Sequence, residues 1–144
     1  MFDCSWLWEE YLNTILIDFK HPQNRKSEGG IYLGNGAFPR YPDFYKGKEN
    51  GVVLDAKYKH SVDERNDIHQ VISYMYALKS RYGGFILPTE SEKHNSTVNL
   101  NGYGKKIGMH YVLIPQECVG HKVFSEQMQI NEKKFILELE RSLA

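Results

Sequence analysis

Two acidic residues and a lysine stand at a spacing that chemistry can use. Asp43 follows Pro42, and after eleven intervening residues comes the run Asp55-Ala56-Lys57. Asp55 and Lys57 are two apart, so in a strand their side chains share one face. If the strand carrying Asp43 pairs with this one through the turn KGKENG (46–51), the two carboxylates converge at one end of a sheet. Such a pair suits a hard cation. Mg2+ takes oxygen ligands, keeps several waters, and is commonly held by one or two carboxylates plus a substrate phosphate. A bound cation polarises a phosphoryl oxygen and lowers the pKa of water, and an ammonium beside it offsets charge on the phosphate. The chemistry these groups fit is phosphodiester hydrolysis. Alone, Asp-x-Lys reads first as an ion pair on a half-exposed strand, because the tripeptide is common. The upstream Pro-Asp, the hairpin context and a following helix shift the weight toward a metal site.

The elements that must position these groups are legible as periodicity. Residues 3–19 place Trp8, Tyr11, Leu12, Ile15 and Phe19 at three- and four-residue steps, the mark of a helix with one apolar face. Asp3 or Ser5 is the expected cap, and His21-Pro22 the expected stop. Three short strands are predicted next, near 30–33, 41–45 and 52–58, pairing as an antiparallel meander through the turns GNG and KGKENG. Residues 64–81 predict a second helix with Ile68, Val71, Ile72, Met75 and Leu78 inward, Asp63 as cap and Gly83 as terminator. A buried strand at 84–88 follows by a crossover, hence parallel to a neighbour. The polar stretch 89–106 reads as an exposed loop or hairpin insertion. Then come a strand at 107–115, an edge strand at 122–130 carrying Phe124, Met128 and Ile130, and a last helix at 132–143 capped by Asn131. Phe135, Ile136, Leu139 and Leu143 are its expected inward residues.

This is a mixed α/β order in a chain of 144 residues, a length that suits a single domain, here 1–144. Lys plus Arg and Asp plus Glu both total 18, so there is no global positive charge of the kind a free-standing DNA binder usually shows. Either the basic residues cluster, or a partner supplies DNA affinity. Lys46, Lys48, Lys57, Lys59 and His60 are expected around the acids, either to meet phosphates or as a solvated charge cluster at the strand ends. Cys4 and Cys118 show no metal-type spacing and read as reduced, which with the absence of a signal peptide or spanning segment predicts a cytoplasmic protein. The six histidines have no H-x-x-x-H pattern, so zinc is not expected.

The string YPDFY…VVLDAKYK…DIHQVISYMYAL…GGFILP resembles the PD-(D/E)XK nuclease superfamily, and within it the nuclease domain of McrC-like and LlaJI-like restriction proteins, over roughly residues 5–88. The resemblance implies a restriction-endonuclease-like core of order αβββαβ, extended here by two strands and a helix. It implies a Mg2+-dependent endodeoxyribonuclease, Mn2+ substituting, with DNA as substrate and a separate nucleotide-hydrolysing, McrB-like motor subunit as partner. Asp43, Asp55 and the Ala56 carbonyl are the implied metal ligands, with Glu9, after Trp8, contributing directly or through water. Glu10 is the competing glutamate. Lys57 assists the attacking water, and Gln70 and Tyr74, the Q-x-x-x-Y of the second helix, orient the site. Asp67 either joins that cluster or is solvated. Cutting both strands with one site implies two copies, hence a possible homodimer. A RecB-like DNA-processing nuclease, or an inactive nuclease-fold interaction module, are the alternatives. The branch that carries an iron–sulfur cluster on four cysteines is disfavoured, since this chain has two.

Overall fold

The computed structural model describes residues 4–22, 30–48, 50–59, 62–102 and 105–144. The expected Asp3 cap, most of the 22–30 loop and His60 lie outside the described residues. The elements are α1 (Cys4–Ile15), β1 (Ile31–Gly34), β2 (Ala37–Arg40), β3 (Phe44–Lys46), β4 (Val52–Ala56), α2 (Asn66–Leu78), β5 (Tyr82–Thr89), β6 (Ser96–Asn99), β7 (Lys106–Leu113) and α3 (Gly120–Leu143). A five-stranded sheet has the order β3-β4-β5-β7-β6, with β4, β5 and β7 parallel and both edge strands antiparallel. The expected parallel crossover through α2 is present.

The sheet alternation divides the core in two. Val52, Leu54, Tyr82 and Ile86 face α1 and α3, where Leu12, Phe135 and Leu139 cover them. Val53, Phe85 and Leu87 face α2, where Val71, Tyr74 and Met75 cover them. Each large apolar side chain taken wholly out of water contributes about 1.5–3 kcal/mol, so these two layers hold the helices on opposite faces. Gly83 lets α2 lie close. A Cβ there would stand 2.5 Å from Met75 Sδ and 2.6 Å from Val71 Cγ1.

Several expectations are corrected. The first strands do not form one meander. β1 and β2 make a separate two-stranded hairpin around Asn35-Gly36, with Gly34 opposite Ala37. Pro42 lacks the amide hydrogen a continuous ladder would need, and strand structure is interrupted at 41–43 before β3 begins. Ile31 of that hairpin packs on the α2 side of the core. Helix α1 stops at Ile15, four residues short of Phe19, because the chain then turns to bridge β3. Lys20 and Tyr45 exchange backbone hydrogen bonds of 2.8 and 3.0 Å.

Helix α2 ends at Leu78 rather than at Gly83, since Lys79 takes the left-handed conformation (φ 52°) and its N–H bonds back to Tyr76. Ile72 is exposed and Tyr74 is buried, so the apolar face is rotated from the one expected. Asp63 does accept from the amides of Arg65 and Asn66, both at 2.9 Å, although the helix proper starts just after Arg65.

The largest correction is at the C-terminus. Residues 122–130 are not an edge strand but the first half of a 24-residue helix. Asn131 is mid-helix, not a cap, and its Nδ2 donates to the Leu113 carbonyl at 2.8 Å. The true edge strand comes from the expected insertion: β6 pairs with β7, Ser96 opposite Met109. Among the described residues no helix is long and apolar enough to cross a membrane, and Cys4 and Cys118 are free.

Candidate active site

Strand register brings the two acids together. Phe44 pairs with Leu54, so Asp43, one step beyond the ladder, stands opposite Asp55. The pairing is fixed by a side chain as well: the Ala56 N–H donates to Asp43 Oδ2 at 2.8 Å. Ala56 thus contributes its amide to the site. The hairpin that sets this register depends on Gly51, where a Cβ would sit 2.2 Å from the Lys46 carbonyl oxygen.

His21 holds the other side of Asp43. Its Nδ1 lies 2.7 Å from the Asp43 carbonyl, its ring stacks on Phe44 at 4.6 Å, and its Nε2 is 3.9 Å from Glu10. In sequence His21 appeared only as a helix stop. Glu10 is thereby turned toward His21, whereas the charge of Glu9 reaches Asp43. Helix α1 is anchored over the sheet by Trp8, whose Nε1 donates to the Ile86 carbonyl at 3.2 Å, and by Tyr11, which donates to Glu132 at 2.9 Å.

The lysine is clamped. Lys57 Nζ lies 2.7 Å from Asp55 Oδ2 and 3.2 Å from Asp67 Oδ1. Lys59 Nζ lies 2.8 Å from Asp67 Oδ2, which also accepts from the Asp63 N–H at 2.7 Å. Asp67 is therefore a buried member of the cluster and not a solvated helix acid. Burial opposes charge on Lys57, but Asp55 and Asp67 outweigh it and raise the lysine pKa. Burial likewise opposes charge on Asp67, and Lys59, the Asp63 amide and Lys57 outweigh it and lower that carboxyl.

Asp43 is the odd member. Burial first, then the charges of Asp55 and Glu9, push its carboxyl well above the usual range, with the Ala56 amide opposing and a hydrogen bond to Asp55 adding to the rise. Asp55 Oδ2, buried beside Lys57, has no aligned hydrogen bond. Tyr74 reaches the same place: burial, then Asp55 and Asp43, raise its hydroxyl to about 12, while Gln70 hydrogen-bonds to it. The structure therefore gathers Asp43, Asp55, Lys57, Gln70 and Tyr74, with Glu9 within electrostatic reach.

Lys46 and Lys48 do not join them. They lie at the far end of the β3–β4 hairpin, where Lys46 pairs with Val52 and its Nζ covers the Phe19 ring at 4.7 Å. Among the described residues no three His, Cys, Asp or Glu side chains gather as a chelate by themselves. The oxygen donors are two carboxyls in contact, with a third nearby.

The fold is similar to that of a chain from the tetradecameric assembly of Thermococcus gammatolerans McrB AAA+ hexamers with bound McrC, with a TM-score of 0.60 at 16% identity. The match covers 96% of this chain and 33% of that one, so this chain spans about a third of its length. No curated protein matches the sequence. Residues 1–88 match the family of the McrBC 5-methylcytosine restriction system component. With well over half of its 144 residues matched, the chain belongs to that family.

Proposed function

We propose that the chain is the DNA-cutting module of a McrBC-type restriction system, a Mg2+-dependent endonuclease of the PD-(D/E)XK kind. The observation that carries this reading is the contact of Asp43 with Asp55 beside a lysine clamped in its charged form. A half-buried carboxyl against a buried one, the first with its pKa pushed up by burial and by its neighbours' charge, is a costly pair that a cation would relieve. An all-oxygen pair of this kind fits Mg2+ or Mn2+. Asp43 and Asp55 would hold the ion, with the Ala56 carbonyl as a further oxygen and Glu9 acting through water. When bound, the cation supplies Lewis acidity toward a phosphoryl oxygen.

The chain's own groups do the rest. Lys57, fixed by Asp55 and Asp67, orients the attacking water and offsets charge on the phosphate. Asp67 gives Lys57 a second carboxylate partner beside Asp55. Tyr74, steadied by Gln70, stays protonated and offers a hydroxyl at the site. The neutral overall charge fits a module delivered to DNA by a partner, and a McrB-like nucleotide-hydrolysing motor is the partner the family suggests. Cutting both strands would take two copies of the site.

The test is cleavage of DNA by the chain, alone and with such a motor, in Mg2+ or Mn2+. Asp55→Ala and Lys57→Ala are expected to lower the rate by at least about 10³-fold, the scale on which electrostatic stabilisation of the transition state acts, with the circular dichroism spectrum kept. Cutting by either variant at the parent rate would overturn the site assignment.

A further inference from the structure

The C-terminal ends of the three parallel strands frame a cleft that the hydrolytic residues leave open. Tyr58 and Lys59 follow β4, Thr89 closes β5, Ile114 and Gln116 follow β7, and Trp8 of α1 forms a wall. The cavity is about 560 Å³, inside the roughly 300–1,000 Å³ of ligand pockets. A second cavity of about 350 Å³ shares Trp8, Tyr58 and Ile114 and runs on toward Met128. Ligands of open parallel sheets bind at this end, outside the carboxyl ends of the strands.

The lining is mixed: aromatic and apolar walls, polar groups, one cation and one exposed carboxylate, Glu90. Tyr58 keeps 51% of its surface exposed, and its ring is tilted against Trp8 at 6.4 Å, leaving aromatic surface open to the cleft. Thr89 and Gln116 add polar groups at the rim. Lys59 adds a cation that reaches the hydrolytic cluster, because the same Asp67 carboxyl pairs with Lys59 and Lys57. A flat ligand with apolar faces, polar edges and an attached anion fits such walls. A nucleotide has that form, and a base can enter only when it has left its stack.

We propose that this cleft takes an unpaired nucleobase from a nucleotide next to the phosphate that is cut, stacked on Tyr58 against Trp8, with Lys59 on a flanking phosphate. The proposal rests on the nuclease reading and deepens it: the preferred substrate is DNA in which a base is free to leave the helix.

Trp6→Phe leaves Trp8 as the single tryptophan, since the chain has two. This protein is titrated in EDTA with a twelve-nucleotide thymidine oligomer and with an abasic oligomer of equal length and charge. The thymidine strand is expected to quench Trp8 fluorescence and to bind about tenfold more tightly, the effect of one base–aromatic stack. Tyr58→Ala should remove that preference and Tyr58→Phe should keep it. Equal binding of the two oligomers overturns the proposal, as it would if the cleft instead took a side chain of a protein partner. So does a preference that survives Tyr58→Ala. The nuclease reading fails separately: a chain that prefers the thymidine strand but never cuts DNA in Mg2+ has the base site and lacks the activity, whereas one that cuts without the preference lacks only the base site.

Discussion

Asp43 sits in a place that works against its own charge. Its carboxyl is raised by burial and by Asp55 and Glu9, so ionising it at neutral pH costs folding free energy. The sign is that of a group whose folded pKa lies above its unfolded value: stability improves as pH falls through the raised pKa. Asp43→Asn keeps an oxygen for the Ala56 amide and removes the repulsion. In EDTA at pH 7.5 this variant is expected to melt a few degrees above the parent, and with Mg2+ to cut no DNA. A lower Tm in EDTA would show that the acids are not in conflict. The place of Asp67 was left open by the sequence. A charged residue one turn before Gln70 fits the cluster or solvent equally until Lys57 and Lys59 arrive from the segment after β4, and that meeting is a tertiary event no local pattern encodes. Asp43 and Asp55 were legible because a short turn and a period of two place them opposite each other by geometry alone.

At the level of elements, the β3–β4 hairpin sets the register of the acids and its turn carries the strain. Asn50 has φ 54° and Gly47 φ 84°, and Gly51 lies too near the Lys46 carbonyl for any side chain. Gly51→Ala must displace backbone, and is expected to destabilise the chain by about 1–3 kcal/mol. Urea denaturation gives the measure, and an unchanged midpoint would refute it. The hairpin, the crossover and α2 could be read from turns and apolar spacing. The first half of α3 could not. Of its apolar residues Val123, Phe124 and Ile130 are exposed and only Met128 is buried, so they mark no face, and the same letters fit an alternating strand. In the other direction, β6 is exposed at all four residues. It is held by backbone pairing to β7, which hydrophobic patterning does not register.

Across the whole molecule, both core layers bury polar groups: the α2 side has Asp55 and Asp67. The α1–α3 side buries a Tyr82–His110 pair, hydroxyl to Nε2 at 2.7 Å, beneath Gly108, where any Cβ would collide with the Tyr82 hydroxyl. Burial lowers the His110 pKa to about 4, against about 6.5 for a free imidazole. The unfolded chain therefore binds the extra proton first. Stability from this residue is complete above about pH 6.5 and declines as pH falls toward 4, by up to about 1.4 kcal/mol per unit. Asp43 works in the opposite sense, so the slope is best measured by urea denaturation in the Asp43→Asn background. His110→Gln is expected to flatten it, and an unchanged slope would remove His110 as its cause.

The ties that seat α1 over the site span most of the chain. Trp8 reaches Ile86 and Tyr11 reaches Glu132, separations of 78 and 121 residues. A ribosome delivers the N-terminal residues first, and contacts this distant close late. While the protein is being made, Asp43, Asp55 and Lys57 emerge well before the residues that fix the wall beside them. The acids and the lysine are thus made before the contacts that seat α1 over them, and α1 gains its tie to α3 only once Glu132 has been added.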